Sequence, residues 1–566
     1  MSLATIFGFL IPVLVIGMWV MAIAGMRRLS SGRPAVDAGT FRRFFQYGLL
    51  YAVLILAAVG TTEVLTWLFQ GRPDDWYVTG GGVARSLAFV LVGAPAAATI
   101  ALVTRRGRRR DPAENDSHLY AIYLTITPLT AMLLATWSLS GLLARLLGPG
   151  RDFDAGDAVG FVVWGAVWLT HWIVARRSLG ERNAPHLFLG SFVGLVVASV
   201  GLYRTIGASL DVIVRQDAFI TTTYPLAAAV GTLVAGVLVW VRYWLTAANP
   251  LRTGNLRLVY VLVFGVGGGL VLWLVAASRI LWTVLVWFIG DPASRYAPQF
   301  FGDTTYDVGM LVVGALLWWY HRALLEDDMA RSEVPRIYEY LVSGIALTAA
   351  ATGVGTVLVA FIESITPGID IGLTTMNTLL AAVTLLLVGV PVWWVFWKRI
   401  RRAVEGDAPT EVSSLTRRIY LVVLFGVVGV VAVGALVLVA YTFLQDAVNG
   451  QVGLATLRSM RYGLGTLVAA AAVSAYHWSV FRQDRSVAKP EAPRGPRSVV
   501  LVGAPADELA QDIARATGAR VESWTRLDGA GGWDQDSVLT AIEGHEGHDL
   551  LVLSGPDGPG VIVVAR

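Results

Sequence analysis

Cysteine is absent from the 566 residues, which excludes disulfides, thiolate metal sites and cysteine nucleophiles. Charge is scarce: Asp, Glu, Lys and Arg make up only 15% of the chain, against roughly 25% in soluble domains. Lysine occurs only as Lys398 and Lys489, so arginine carries nearly all of the positive charge. The chain also lacks a Ser/His/Asp set, a His-x-x-x-His helix and an acidic cluster of suitable spacing. Neither an enzyme centre, nor a metal site, nor a cofactor is therefore expected.

What the chain does have is apolar surface. Hydrophobic residues make up 55% of it and the mean hydropathy is +0.62, more than a water-soluble core can absorb. Lipid must face much of it. Many of the 20 tryptophans lie near the ends of apolar runs, the headgroup level that amphipathic rings prefer. A net charge of +4 and a pI near 9.2 are read as basic cytosolic loops and not as a nucleic-acid surface.

Counting runs of about 20 apolar residues predicts about thirteen transmembrane helices. They fall near 4–26, 43–69, 83–104, 118–147, 157–176, 186–214, 219–247, 256–289, 305–325, 337–365, 371–398, 416–446 and 456–481. The first run lacks a basic leader and is long enough to span, so it is read as a helix and not as a cleaved signal. Arginines gather in every second loop: Arg27, Arg28, Arg33, Arg42 and Arg43, then Arg105 to Arg110, and so on to Lys398–Arg402 with Arg417 and Arg418. The intervening loops are poor in basic residues and often acidic, as at Asp74-Asp75 and Asp152-Phe153-Asp154. The positive-inside rule then places the amino terminus outside and the carboxy-terminal tail in the cytosol.

After the first helix the chain reads as six helical hairpins. Each opens on a basic or His residue followed by an aromatic: Arg43-Phe44, His118-Leu119-Tyr120, His186-Leu187-Phe188, Arg257 before Tyr260, Arg336-Ile337-Tyr338 and Arg418-Ile419-Tyr420. Five close on a second mark: Trp168-x-x-His171, Trp240-x-x-Tyr243, Trp318-x-x-His321, Trp394-x-x-Trp397 and Ser474-x-x-His477. The column His171, Tyr243, His321, Trp397 and His477 thus recurs at a steady period, the signature of one supersecondary unit used repeatedly. The first hairpin, ending Thr104-Arg105-Arg106, lacks the closing mark.

These opening and closing marks, over roughly residues 40–485, resemble a bacterial membrane family known as domain of unknown function 5671, whose members often carry the unit in tandem. The resemblance implies a helical membrane fold in a bacterial cytoplasmic membrane. It implies no activity.

The closing mark puts two rings on one helical face. Two readings stand: an aromatic and cationic belt at the inner leaflet with hairpin-to-hairpin packing, or a ring of His171, His321 and His477 holding a ligand or proton. Tyr243 and Trp397 in the same column argue against a symmetric metal ring. Charges inside apolar runs form a second candidate set: Glu63, Arg204, Asp211, Arg279, Glu363, Arg458 and Arg461. Arg204 lies about 27 Å beyond His186 and Arg279 roughly 33 Å beyond Arg257 at 1.5 Å per residue. The hydrocarbon core is about 30 Å thick, so these charges belong to an outer layer. They either pair between over-long helices or line an extracytoplasmic vestibule. Gly265, Gly267, Gly268 and Gly269 and the pair Gly353 and Gly355 predict close helix approach. Pro95, Pro128, Pro225 and Pro391 are expected to kink spans without ending them.

The expected organisation is an amino-terminal helix and loop (1–39), six hairpins (40–485), a Pro-rich linker (486–497) and a small cytosolic α/β domain (498–566) of β-α-β-α-β-β order. Gly503-Ala504-Pro505 resembles a phosphate-binding turn, yet no Walker or Gly-x-Gly-x-x-Gly pattern accompanies it. His545 and His548 are read as a solvated turn. The sequence therefore predicts an all-α polytopic membrane protein with a terminal α/β domain: a scaffold, assembly or sensory protein whose partners are the bilayer and a cytosolic protein docking on 498–566. The alternative is a transporter or channel for a small polar solute.

Overall fold

The computed structural model describes residues 38–70, 76–148, 154–214, 219–251, 255–325, 333–366, 368, 373–487, 495–527, 532–555 and 558–565. The expected first span (4–26), the arginines at 27, 28 and 33, the acidic pair Asp74-Asp75 and most of the Pro-rich linker lie outside the described residues. The chain divides into two compact units. One takes the chain up to Ala403 together with Leu415–Ala475, the other Val404–Ser414 with Tyr476–Arg566.

In the first unit, long apolar sequences have one way to satisfy their backbone amides without water, which is the helix. The helices are α1 (Ala38–Gln70), α2 (Trp76–Arg110), α3 (His118–Leu147), α4 (Ala155–Ser178) and α5 (Ala184–Val214). Next, α6 (Phe219–Trp240) continues as a π-helical stretch over Val241–Ala248. Helix α7 starts at Asn255–Val259, widens into a π-helix over Tyr260–Gly267 and runs on through Gly268–Phe288. A short turn α8 (Ala297–Phe300) precedes α9 (Thr304–Ala323), α10 (Glu333–Ile365) and α11 (Thr375–Gly406). After the short α12 (Ala408–Ser413), which belongs to the second unit, come α13 (Leu415–Val448) and α14 (Leu454–Val487).

Among the described residues eleven helices are long and apolar enough to cross a membrane. Helix α9 is not one of them. Its 20 residues carry Asp307, His321 and Arg322, which interrupt the apolar run. All four prolines sit inside helices that continue past them. The two π-helical stretches had no mark in the apolar pattern; π segments are frequent at functional sites and irregular contacts.

The helices pack as neighbouring pairs, α1 with α2, α3 with α4, α5 with α6 and α7 with α9, and cross-packing of α1 on α4, α3 on α6 and α5 on α9 joins the pairs. Glycine sets the closeness of several contacts. A Cβ at Gly355 on α10 would meet the Gly465 carbonyl of α14 at 2.8 Å, so these two backbones touch directly. With no apolar driving force between helices in lipid, such contacts supply the dispersion energy of association.

Local sequence also sets the helix ends. Asp154 caps α4, its carboxylate accepting from Gly156 N–H at 2.8 Å. Arg145 at the end of α3 reaches both Asp154 and Asp157, each at 2.9 Å. An Asp154→Ala variant should lose about 1 kcal/mol of stability from the cap. The thermal melting midpoint of the detergent-solubilised protein checks this, and an unchanged midpoint would refute the capping role.

In the second unit, β1 (Ser498–Gly503), α15 (Asp507–Thr517), β2 (Arg520–Thr525), α16 (Gln535–Ile542), β3 (Asp549–Gly555) and β4 (Gly558–Val564) follow one another. This is the expected order. The sheet runs β2-β1-β3-β4, with β1 parallel to β2 and β3 and β4 antiparallel to β3. Central β1 reads as a continuous apolar run because both of its faces are covered. Val499 and Leu501 join Ile513, Val538, Ile542, Leu550 and Val552 in the core.

Candidate functional site

Three members of the closing column are buried among helices of the first unit, and His171 is half-buried there. Tyr243 and His321 are 0% exposed and Trp397 is 1% exposed, so these three rings face neighbouring helices and not headgroups. Tyr243 is the hub. Its hydroxyl accepts from the Trp168 indole N–H at 2.8 Å and donates to His186 Nε2 at 2.9 Å. His186 Nδ1 in turn lies 3.2 Å from the Asn183 side-chain oxygen. The hydrogen-bond network assigns the proton to Nδ1 and leaves Nε2 as acceptor. The Tyr243 ring meets Trp172 edge-on at 4.6 Å and lies against the bare backbone of Gly190.

The same device recurs along the chain. Trp240 donates to the Tyr260 hydroxyl and Trp244 to the Tyr320 hydroxyl, both at 2.9 Å. Each bond joins one hairpin to the next. His171 bonds the Tyr123 hydroxyl through Nε2 at 3.0 Å and the Val167 carbonyl through Nδ1 at 2.8 Å. His321 Nδ1 meets the Leu317 carbonyl at 2.8 Å, and its ring lies against Gly265. Trp397 stacks on Trp393 at 6.3 Å. His477 belongs to the second unit and meets Tyr476 edge-on at 5.1 Å. Among the described residues no group of three metal-ligating side chains comes together. The geometry of the column is that of interlocking rings.

The outer charge layer resolves mostly into pairs. Arg279 on α7 bonds Asp307 in the first turn of α9 at 2.6 Å. Arg461 on α14 bonds Glu363 in the last turn of α10 at 2.8 Å. Arg458 caps that same helix end, donating to the carbonyls of Glu363 and Thr366 at 3.2 and 3.0 Å. Cations are favoured at a helix carboxyl end, where the last carbonyls lack partners. Glu63 accepts from the Ser86 hydroxyl and lies 3.7 Å from Arg85. Asp211 is buried near the end of α5. Arg204 is exposed and makes no ion pair among the described residues.

Four charged partners were missed by the sequence reading: Asp307, Asp157, Arg145 and Arg85. A signal for Asp307 and Asp157 existed. Asp157 precedes His171, and Asp307 precedes His321, by the same fourteen residues. That is close to four turns, so each Asp shares a helical face with its His about 21 Å away. One face of α4 and of α9 thus carries a carboxylate at one end and an imidazole at the other.

In the terminal domain the Gly503-Ala504-Pro505 turn is covered. The Trp533 indole donates to the Ala504 carbonyl at 2.8 Å, and a Cβ at Gly503 would lie 2.6 Å from that ring.

This arrangement defines a polytopic α-helical membrane protein with a small α/β domain. Residues 43–166 and again 336–472 match the family model described as "Domain of unknown function (DUF5671)", two separate matches in one chain. The first match runs from α1 into α4 and the second from α10 into α14. No curated protein and no solved structure matches the chain.

Proposed function

We propose that the protein is a membrane-embedded scaffold or sensory protein of the bacterial cytoplasmic membrane, presenting its α/β domain to the cytosol as a docking module for another protein. The observation that carries this reading is the pairing of the outer-layer charges. Arg279 with Asp307 and Arg461 with Glu363 tie helix to helix and leave few groups to line a path for solute. The interlocked aromatic column serves the same end, since it holds successive hairpins in register. In the terminal domain the edge strand β2 is largely exposed, with Trp524 55% exposed, a surface suited to a partner protein.

Arg204 favours a second reading. It is exposed and carries no ion pair among the described residues, as a vestibule for a small polar solute would require. A chain without native cysteine allows the two to be separated by single introduced thiols. Arg204→Cys should react with a membrane-impermeant maleimide from outside only, and Leu527→Cys, fully exposed in the terminal domain, only after permeabilisation. Labelling of Arg204→Cys from both sides, or its protection by a solute, would put transport first. Labelling of Leu527→Cys in intact cells would overturn the cytosolic placement.

A further inference from the structure

Helices α3, α4 and α6 enclose a groove of about 410 Å³. Its walls are almost wholly apolar, with Met132, Leu139, Val162, Leu169 and Leu238 among them, and Arg242 closes one end. Between Phe161 and Leu169 on α4 the groove runs about 12 Å at 1.5 Å per residue. It opens sideways: Val162, Leu169 and Leu238 are half or more exposed, in a region of helices apolar enough to span a membrane. Water gains nothing in such a slot, because it finds too few polar partners there.

Among the described residues the charged end has no counter-ion. The Arg242 guanidinium lies 4.4 Å over the Trp172 ring and donates once, to the Thr246 hydroxyl at 2.9 Å. Arg176 is exposed and stands within electrostatic range of it. Among the described residues neither carries an ion pair. A guanidinium has five N–H donors in a fork that suits phosphate, so most of the donors of Arg242 are unused.

The groove's floor carries the third observation. Gly165 lies in the interior of α4, where glycine costs about 1 kcal/mol relative to alanine. Among the described residues nothing requires it: a Cβ there would meet none of their atoms within 4 Å, whereas one at Gly160, five residues earlier, would lie 2.5 Å from the Ser138 hydroxyl. The missing side chain of Gly165 widens the groove.

We propose that the groove binds an anionic phospholipid, its acyl chain lying over Gly165 between α3, α4 and α6 and its phosphate between Arg242 and Arg176. Basic pockets between transmembrane helices recognise lipid headgroups by this combination of charge and apolar slot.

The test is native mass spectrometry of the full-length protein in mild detergent, titrated with dioleoyl phosphatidylglycerol and dioleoyl phosphatidylcholine at equal concentration. The wild type should retain phosphatidylglycerol in preference. The double variant Arg242→Gln/Arg176→Gln should lower its retention roughly tenfold, as loss of charge-assisted bonds to phosphate implies, and leave phosphatidylcholine unaffected. Arg105→Gln/Arg106→Gln, outside the groove, should change neither. Gly165→Leu, whose Cβ meets no described atom within 4 Å, should lower phosphatidylglycerol retention with no fall in the melting midpoint. Equal retention of the two lipids by the wild type, or full retention by Gly165→Leu or by the groove double variant, would overturn the proposal. So would a wild type that forms a dimer which Gly165→Leu abolishes at unchanged lipid retention, an outcome that would assign the groove to a second copy of the chain.

Discussion

Alanine at Glu363 should destabilise the folded protein by about 2–3 kcal/mol. Breaking a fully buried ion pair costs about 3–5 kcal/mol, and the remaining Arg461 is 21% exposed, so solvent recovers part of the loss. The substitution leaves Arg461 without its carboxylate in a place where α10 and α14 touch through Gly355 and Gly465. Titration with SDS in mixed micelles, followed by tryptophan fluorescence, reads the change. Removing both charges as Glu363→Leu/Arg461→Leu should restore stability to near that of the wild type, since apolar isosteres often replace such pairs without loss. A double variant as unstable as the sum of its singles would show that the two residues do not act as a pair.

Alanine at Gly190 should cost about 1–3 kcal/mol, the range for forcing one extra methyl into a packed core. The added Cβ would stand 2.1 Å from the Tyr243 ring. That ring cannot swing away cheaply, because its hydroxyl is held by both Trp168 and His186. Tyr243→Ala should be destabilising by itself through the cavity it leaves. In the double variant the methyl no longer meets a ring, so its added cost should fall to a few tenths of a kcal/mol. A thermodynamic cycle over the four forms would give a coupling of about 1 kcal/mol or more if the contact is real. Strict additivity would mean that the helices α5 and α6 do not approach as closely as Gly190 implies.

Both tests address places where the sequence pattern was informative but incomplete. The closing column was visible as a recurring Trp-x-x-ring mark, yet its partners were not. Tyr243 is held by His186, an opening-mark residue of its own hairpin, and by Trp168 of the hairpin before. Such pairings depend on how α4, α5 and α6 lie together. In the same way Glu363 and Arg461 were legible as members of an outer charge layer, while their union across 98 positions was not. Asp307 escaped notice because an acidic residue near a span end reads as an ordinary loop flank. Its register with Asp157 becomes meaningful once α9 and α4 are known to use the same face.

The sequence by itself determined the helical membrane class, the long spans, the repeated marks and the order of strands and helices in the terminal domain. Each follows from local rules: apolar length set against bilayer thickness, backbone hydrogen bonding in lipid and the alternation of short apolar runs with turns. Tertiary structure decided that Tyr243, His321 and Trp397 of the column are buried against neighbouring helices, which charges pair, and where a groove is left open beside Gly165. In lipid the helices are driven together by shape and polar contacts rather than by the hydrophobic effect. Which faces meet is therefore a matter of complementary surfaces from distant parts of the chain, and apolar patterning along one helix does not encode it.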